Sequence, residues 1–207
     1  MTRATPTIHF ATHNKNKFRE AKRCLAAYNI ELAWLNVTYP EIRSDSLAAI
    51  ASHGVMDLPV SVSAQAKEAV MTEDAGLFVH ALGGFPGPYS AYVMETLGCE
   101  GILRLLDKQK DRGAHFQSAI AYRAPGQKPK IFMGECQGTI ASEIRGSAGF
   151  GFDPIFIPQG AEKTFAQMSI DKKGRHSHRG RALEKLGHYL ASGVTPESEP
   201  TNTTSAI

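Results

Sequence analysis

No run of this chain approaches the roughly 18–20 apolar residues that a bilayer-spanning helix needs, and its first residues lead into a strand without the long apolar stretch of a signal segment. The expectation is therefore a protein of the cytoplasm with no membrane partner. Cysteine is scarce. Cys24, Cys99 and Cys136 are odd in number and far apart, with neither a CxxC pair nor histidines at zinc-finger spacing, which excludes a disulfide framework and reads as reduced thiols used for packing. An excess of one charge is lacking too: 23 Lys+Arg against 20 Asp+Glu leave a formal charge of +3, too small for a nucleic-acid coat or a polybasic anchor. His176 and His178 do not stand a helical turn apart, which excludes an HExxH-type zinc centre. No internal repeat is visible.

What is present is enough chain, 207 residues, for one domain with a real core. Thr7–Ala11 alternates as a strand, and from Lys17 the period turns helical through Phe18, Ala21, Leu25 and Tyr28. Ile30–Val37 reads as a second strand, and Asp45 or Ser46 as the cap of a helix through Leu47, Ile50 and Val55, ending before Pro59. Ala69–Thr72 and Leu77–Val79 are short apolar pieces flanking Glu73-Asp74, and Gly83, Gly84, Pro86, Gly87 and Pro88 then force a tight corner. Helices are expected over Tyr89–Leu97 and Glu100–Leu106. An antiparallel hairpin follows over Ala114–Tyr122 and Lys130–Gln137 about Pro125-Gly126, with an extension of its sheet over Thr139–Ile144. A glycine-rich connection, Gly146–Pro154, and a helix over Ala182–Leu190 close the fold. An α/β opening with an inserted antiparallel hairpin predicts an α/β fold, a mixed twisted sheet with flanking helices, split into two lobes by a central cleft. Residues 1–194 make that single domain, and 195–207, rich in Thr, Ser, Pro and Glu, a disordered tail.

Three clusters carry chemistry. Thr12-His13-Asn14-Lys15-Asn16-Lys17 lies between strand and helix, where free N–H groups and the helix dipole favour an anion and Lys15 and Lys17 add charge; ordinary capping uses the same residue types. Glu73-Asp74 stands at the exit of a buried strand. A hard cation such as Mg²⁺ takes one or two carboxylates and completes its shell with water and phosphate. If Leu77 and Val79 face the core, Glu73 and Asp74 point to opposite faces, so one of them, Asp74, looks into the cleft. The alternative is a solvated acidic turn, and Glu41 is either a second ligand or an exposed loop residue. The third cluster is Phe150-Gly151-Phe152-Asp153-Pro154 with Lys163, Lys173, His178 and Arg179. Glycine permits close approach of a flat ligand, Phe stacks on a base and Arg offers a fork of donors to a carbonyl; a glycine turn with core Phe residues and a basic helix start read equally simply.

Taken together and in order, the clusters resemble the inosine triphosphatase family, house-cleaning pyrophosphatases that hydrolyse ITP, dITP and XTP to the monophosphate and pyrophosphate. ATHNKNK resembles the family's S/T-G-N-x-x-K loop, TEDAGLFVHALGGFPGPYS its D-D-S/T-G-L…A-L-G-G-x-P-G-x-Y-S segment, and GFGFDPIF…KTFAQM…SHRGRAL its third signature. YPEI and FPGPYSAYV are closer in wording to the archaeal and eukaryotic branch. The resemblance implies an elongated two-lobed fold, usually a homodimer, with a purine nucleoside triphosphate as substrate and Mg²⁺, or Mn²⁺ in its place, as cofactor. By position it implies that the backbone of Thr12–Asn16 and the side chain of Lys17 hold phosphates and that Glu41 and Asp74 hold the metal. Asp74 would also orient or deprotonate the attacking water, while Lys163 and Lys173 lie along the triphosphate. Phe152 would stack on the purine, with Phe150, Asp153, His178 and Arg179 shaping the base pocket, Gly151 giving the loop its close approach and Ala75 contributing backbone only.

Some positions depart from the family's pattern. His13 stands for Gly, Ala75 for Ser or Thr and Glu73 for the first Asp, and Asp45–Asp57 holds no Lys where many relatives have one. Rival readings are a septum-formation-inhibitor-type pyrophosphatase acting on modified pyrimidines, a purine nucleotide sensor without turnover, and a single-strand RNA binder using Phe152 and the basic Lys172–Arg181 run.

Overall fold

Ile8 and Phe10 lie on the buried side of the first strand, β1 (Thr7–Ala11), and their burial sets the register of everything that pairs with it. The computed structural model describes residues 6–58 and 68–192, so Pro59 and the tail expected over 195–207 lie outside the described residues. Helix α1 (Lys15–Ala26) buries Ala21 and Leu25 and returns the chain to β2 (Glu31–Leu35), which runs parallel to β1. Ser46 caps α2 (Leu47–Met56), its hydroxyl accepting from the Ala49 N–H at 3.2 Å. β3 (Ala69–Val79) is parallel to β1 on one side and antiparallel to β5 (Gly113–Arg123) on the other. The corner carries a two-residue strand β4 (Pro86–Gly87) against β3 and leads into α3 (Ser90–Thr96) and α4 (Gly98–Leu105). β6 (Lys130–Ile140) and β7 (Phe156–Pro158) complete a mixed seven-stranded sheet of order β2-β1-β3-β5-β6-β7. Two helices end the described chain, α5 (Ile170–His176) and α6 (His178–Ala191).

Several expectations are corrected. The pieces Ala69–Thr72 and Leu77–Val79 are one strand of 11 residues, and Glu73-Asp74 sits in its middle rather than at an exit. Ladder pairing of Asp74, Ala75 and Gly76 with Ala119, Ser118 and Gln117 overrides the poor strand preference of acidic residues and glycine. The extension over Thr139–Ile144 stops at Ile140, because the Ala141 N–H turns to the Ile155 carbonyl at 2.7 Å. The last helix starts at His178, four residues before Ala182, since the Ser177 hydroxyl caps it by accepting from the Gly180 N–H at 3.0 Å. Helix α5 had no apolar period to reveal it; Ser169 caps it and a single Ile opens it.

Three apolar cores hold the described residues together. One, at the outer end of the sheet, joins Leu77, Val79, Ile102, Phe116, Phe156 and Phe165. The other two cover opposite faces of the inner strands, Phe10, Leu25, Met71, Ile120 and Leu183 under α1 and α6, and Leu47, Val55, Val70 and Ala119 under α2. Along β3 the positions between Met71 and Leu77 belong to none of the three. That gap in apolar packing is where Glu73, Asp74 and Ala75 stand.

Candidate functional site

A cleft of about 780 Å³ opens at this gap, within the size range of small-molecule sites. At its inner end lies the β1–α1 loop. Its amides are less free than the sequence implies: the Asn14 side chain accepts from the N–H groups of Asn16 at 2.9 Å and Lys17 at 3.1 Å, the Asn14 N–H goes to the Thr12 hydroxyl, and the Thr12 N–H goes to the Leu35 carbonyl. Among the described residues, the His13 and Lys15 N–H groups have no protein acceptor. Lys17 reaches over β3, its Nζ 3.2 Å from the Glu73 carbonyl oxygen and 3.9 Å from its carboxylate.

Glu73 and Asp74 do leave β3 toward opposite faces, Asp74 on the α2 side with Thr72 and Glu73 on the α1/α6 side with Met71. Both nevertheless line the cleft, which corrects the expectation that only one would. Their environments separate their roles. Burial pushes the Glu73 carboxyl up, but Arg179 and Lys17, with hydrogen bonds from Arg179 and Ser118, outweigh it and hold the group below the ordinary carboxylate range. Both of its oxygens are engaged, by the Ser118 hydroxyl at 2.7 Å and by Arg179 Nε at 2.9 Å. Asp74 is pushed up to about 6 by burial, Lys17 and the Ala75 N–H opposing and Glu41 and Glu73 adding to the rise. Its Oδ2 is buried without a partner. Glu41, exposed in the segment before α2, lines the same cleft. A carboxylate with one partnerless oxygen in a cleft lined by a second carboxylate suits a hard cation that takes two acidic ligands and fills its other positions with water or phosphate. No group of three or more His, Cys, Asp or Glu converges among the described residues.

Beyond Glu73 a buried chain of charges crosses beneath the cleft. Arg179 donates through Nε to Glu73 and through Nη1 to Glu20 at 2.6 Å; Lys173 donates to Glu20 at 2.7 Å and to Asp153 at 2.5 Å; and Asp153 accepts from the Phe150 N–H at 2.8 Å. Burial pulls the Arg179 guanidinium down, but Glu73 and Glu20 outweigh that and raise it above its usual value. Lys173 and Arg179, expected along the triphosphate and at the base, are therefore committed to carboxylates and are 3% and 2% exposed. Their function in the fold is to seat the glycine loop, whose Gly151 has a φ of 58° that a side chain would strain.

At the outer end the His178 imidazole lies flat on Phe116, with centroids 4.6 Å apart and planes 12° apart. Burial, then Arg179, Lys173 and Lys17, hold its basicity far below the ordinary histidine value, so the ring is neutral, and its Nδ1 is buried without a partner. Phe152, expected to offer its ring to a base, is 2% exposed and packs into the outer core. Phe150 is half-buried, and its ring faces Lys173 Nζ at 4.8 Å and the Arg179 guanidinium at 5.3 Å. All the expected site residues line the cleft except three. Lys15 is exposed over the Trp34 ring, Asn16 turns its side chain to Arg19, and Lys163 points to solvent just before Thr164, whose capping box fixes the following turn. Sequence reasoning missed Glu20, Tyr39 and Phe116. Glu20 had a signal, a carboxylate beside Ala21 on the apolar face of α1, where a charge demands a buried partner.

Fold and cleft together define an α/β protein with a continuous mixed sheet whose apolar packing is broken by a cleft, acidic at one end and aromatic at the other. The chain belongs to the Ham1 family, whose model matches residues 8–189. It is 48% identical to the dITP/XTP pyrophosphatase of Methanopyrus kandleri over 90% of this chain and 97% of that one, and 48% identical to the dITP/XTP pyrophosphatase of Thermococcus kodakarensis over 90% and 98%. Both are archaeal, in keeping with the branch expected from YPEI and FPGPYSAYV. Among solved structures, the Staphylococcus aureus Ham1 protein superposes with a TM-score of 0.73 at 28% identity, covering 91% of this chain and all of that one.

Proposed function

We propose that this protein hydrolyses the non-standard purine nucleoside triphosphates ITP, dITP and XTP to the monophosphate and pyrophosphate, removing deaminated purines from the nucleotide pool. One observation carries the reading: a single cleft joins the partnerless Asp74 carboxylate and a lysine-bearing anion loop to a histidine stacked on Phe116 at its far end. The two ends suit the two ends of a nucleotide.

Lys17 and the His13 and Lys15 amides receive phosphate oxygens. Asp74 and Glu41 would hold Mg²⁺, which when bound neutralises phosphate charge. The Asp74 carboxylate would also orient the attacking water and take its proton. Glu73 keeps its own oxygens on Ser118 and Arg179 and so takes no part in the proton transfer. Phe150, the half-buried ring of the glycine loop, provides the stacking face first assigned to Phe152. His178 Nδ1 reads the base: carrying its proton it satisfies the 6-oxo group of hypoxanthine or xanthine, whereas the adenine amino group leaves it unpaired, at a cost of about 1–3 kcal/mol. The working form is a cytoplasmic homodimer, which light scattering tests.

The deciding experiment is pyrophosphate release by the purified protein with Mg²⁺ from ITP, dITP and XTP against ATP, GTP and modified pyrimidine triphosphates. Selective release from the first three is expected. Nucleotide binding without release would make the protein a sensor, and preference for pyrimidines would overturn the base assignment. Chelation with EDTA should abolish turnover and added Mg²⁺ restore it.

A further inference from the structure

His13 occupies a position where the resembled loop has glycine, yet nothing in its backbone calls for glycine, since its φ is not positive. The parallel ladder between β1 and β2 ends just before it, with the Thr12 N–H on the Leu35 carbonyl at 3.2 Å and Trp34 Nε1 on the Thr12 carbonyl at 2.7 Å. Beyond that point the anion loop and the segment leaving β2 diverge, and the His13 ring bridges them. Its Nδ1 lies 2.8 Å from Asn36 Oδ1 and its Nε2 lies 3.4 Å from the Thr38 hydroxyl. Because Asn36 Oδ1 only accepts, Nδ1 carries the proton and donates, while the Thr38 hydroxyl, which both donates and accepts, meets Nε2. Both nitrogens of one ring are thereby spent on a single neighbouring segment. That segment continues directly into Tyr39 and Glu41, which line the cleft opposite the loop.

We propose that His13 is a positioning residue that clamps the anion loop to the Asn36–Glu41 segment, fixing the distance between the phosphate-binding amides and the Glu41 carboxylate. The proposal rests on the triphosphate reading above and deepens it. A bare glycine leaves the loop and this segment joined through the strand ladder and the Trp34 indole alone among the bonds named above. The clamp sets how tightly polyphosphate is held and leaves the proton transfer at Asp74 untouched.

The test uses His13→Ala, Asn36→Ala and the double variant of the full chain, with binding of inorganic triphosphate in Mg²⁺ measured by calorimetry and ITP turnover measured in parallel. Each single variant should weaken triphosphate binding and raise KM by about three- to tenfold, the net worth of one hydrogen bond, with kcat changed less than about twofold. The double variant should be no worse than the weaker single one, because both changes break one link. Unchanged affinity in His13→Ala, additive losses in the double, or loss in His13→Ala with none in Asn36→Ala, which marks a direct ligand contact, would each overturn the clamp. Failure of the unaltered protein to bind triphosphate or release pyrophosphate overturns the functional reading itself, and the clamp with it.

Discussion

Asp74 and Glu73 are chain neighbours in the same strand, and burial acts on both, yet only Glu73 is fully compensated. Lys17 and the Ala75 N–H offset the burial of Asp74 only in part, so its charge costs stability. In the folded, metal-free protein its carboxyl titrates near 6, while the unfolded value is 3.8. Below 3.8 both states are protonated and nothing is lost; above 6 both are ionised and the folded state bears the full cost. Asp74→Asn should therefore stabilise the protein in EDTA at pH 8 by about 1–3 kcal/mol, and thermal unfolding should show that gain shrinking to nothing by about pH 4. The same variant should abolish ITP hydrolysis, whereas near-normal turnover would remove Asp74 from the chemistry. Arg179 belongs to the opposite case. Truncating it to Ala leaves Glu73 and Glu20 buried without their cation, at a cost of about 3–5 kcal/mol by denaturant titration. This structural role comes in addition to the base contact expected of Arg179 from sequence, since the residue also lines the cleft.

At the scale of elements, what positions the site is the close seating of α6 on β6. Gly134 makes that possible, since a Cβ there would collide with the His178 carbonyl and the Ala182 amide at the start of the helix. Gly134→Ala should cost about 1–3 kcal/mol of stability and loosen the His178–Phe116 stack, seen as reduced discrimination between ITP and ATP. A variant as stable and as selective as the original would show that the helix can shift without consequence. The sequence made β1, α1, the α2 cap and the hairpin legible because each carries its own period or punctuation. It concealed β7 and α5, too short to show a period, and it split β3, because acidic residues inside a buried strand look like its end until their partners are known. The site was legible as a set of positions but not as a division of labour. Whether Lys173 faces phosphate or carboxylate depends on Glu20, 153 residues away in the chain.

Over the whole molecule, a ligand spanning the cleft touches residues from the loops and strands around all three cores and so couples their unfolding. A nucleotide at about 100 times its Kd should raise stability by about 2.7 kcal/mol, visible as a single sharpened melting transition. A shift confined to part of a biphasic melt would show that the cores unfold independently. Finally, the charges under the cleft alternate through Lys17, Glu73, Arg179, Glu20, Lys173 and Asp153, drawn from α1, β3, α5, α6 and the glycine loop. Every inner member answers to two others, so no replacement can be accepted alone. Among descendants of this protein these positions should change in concert or not at all.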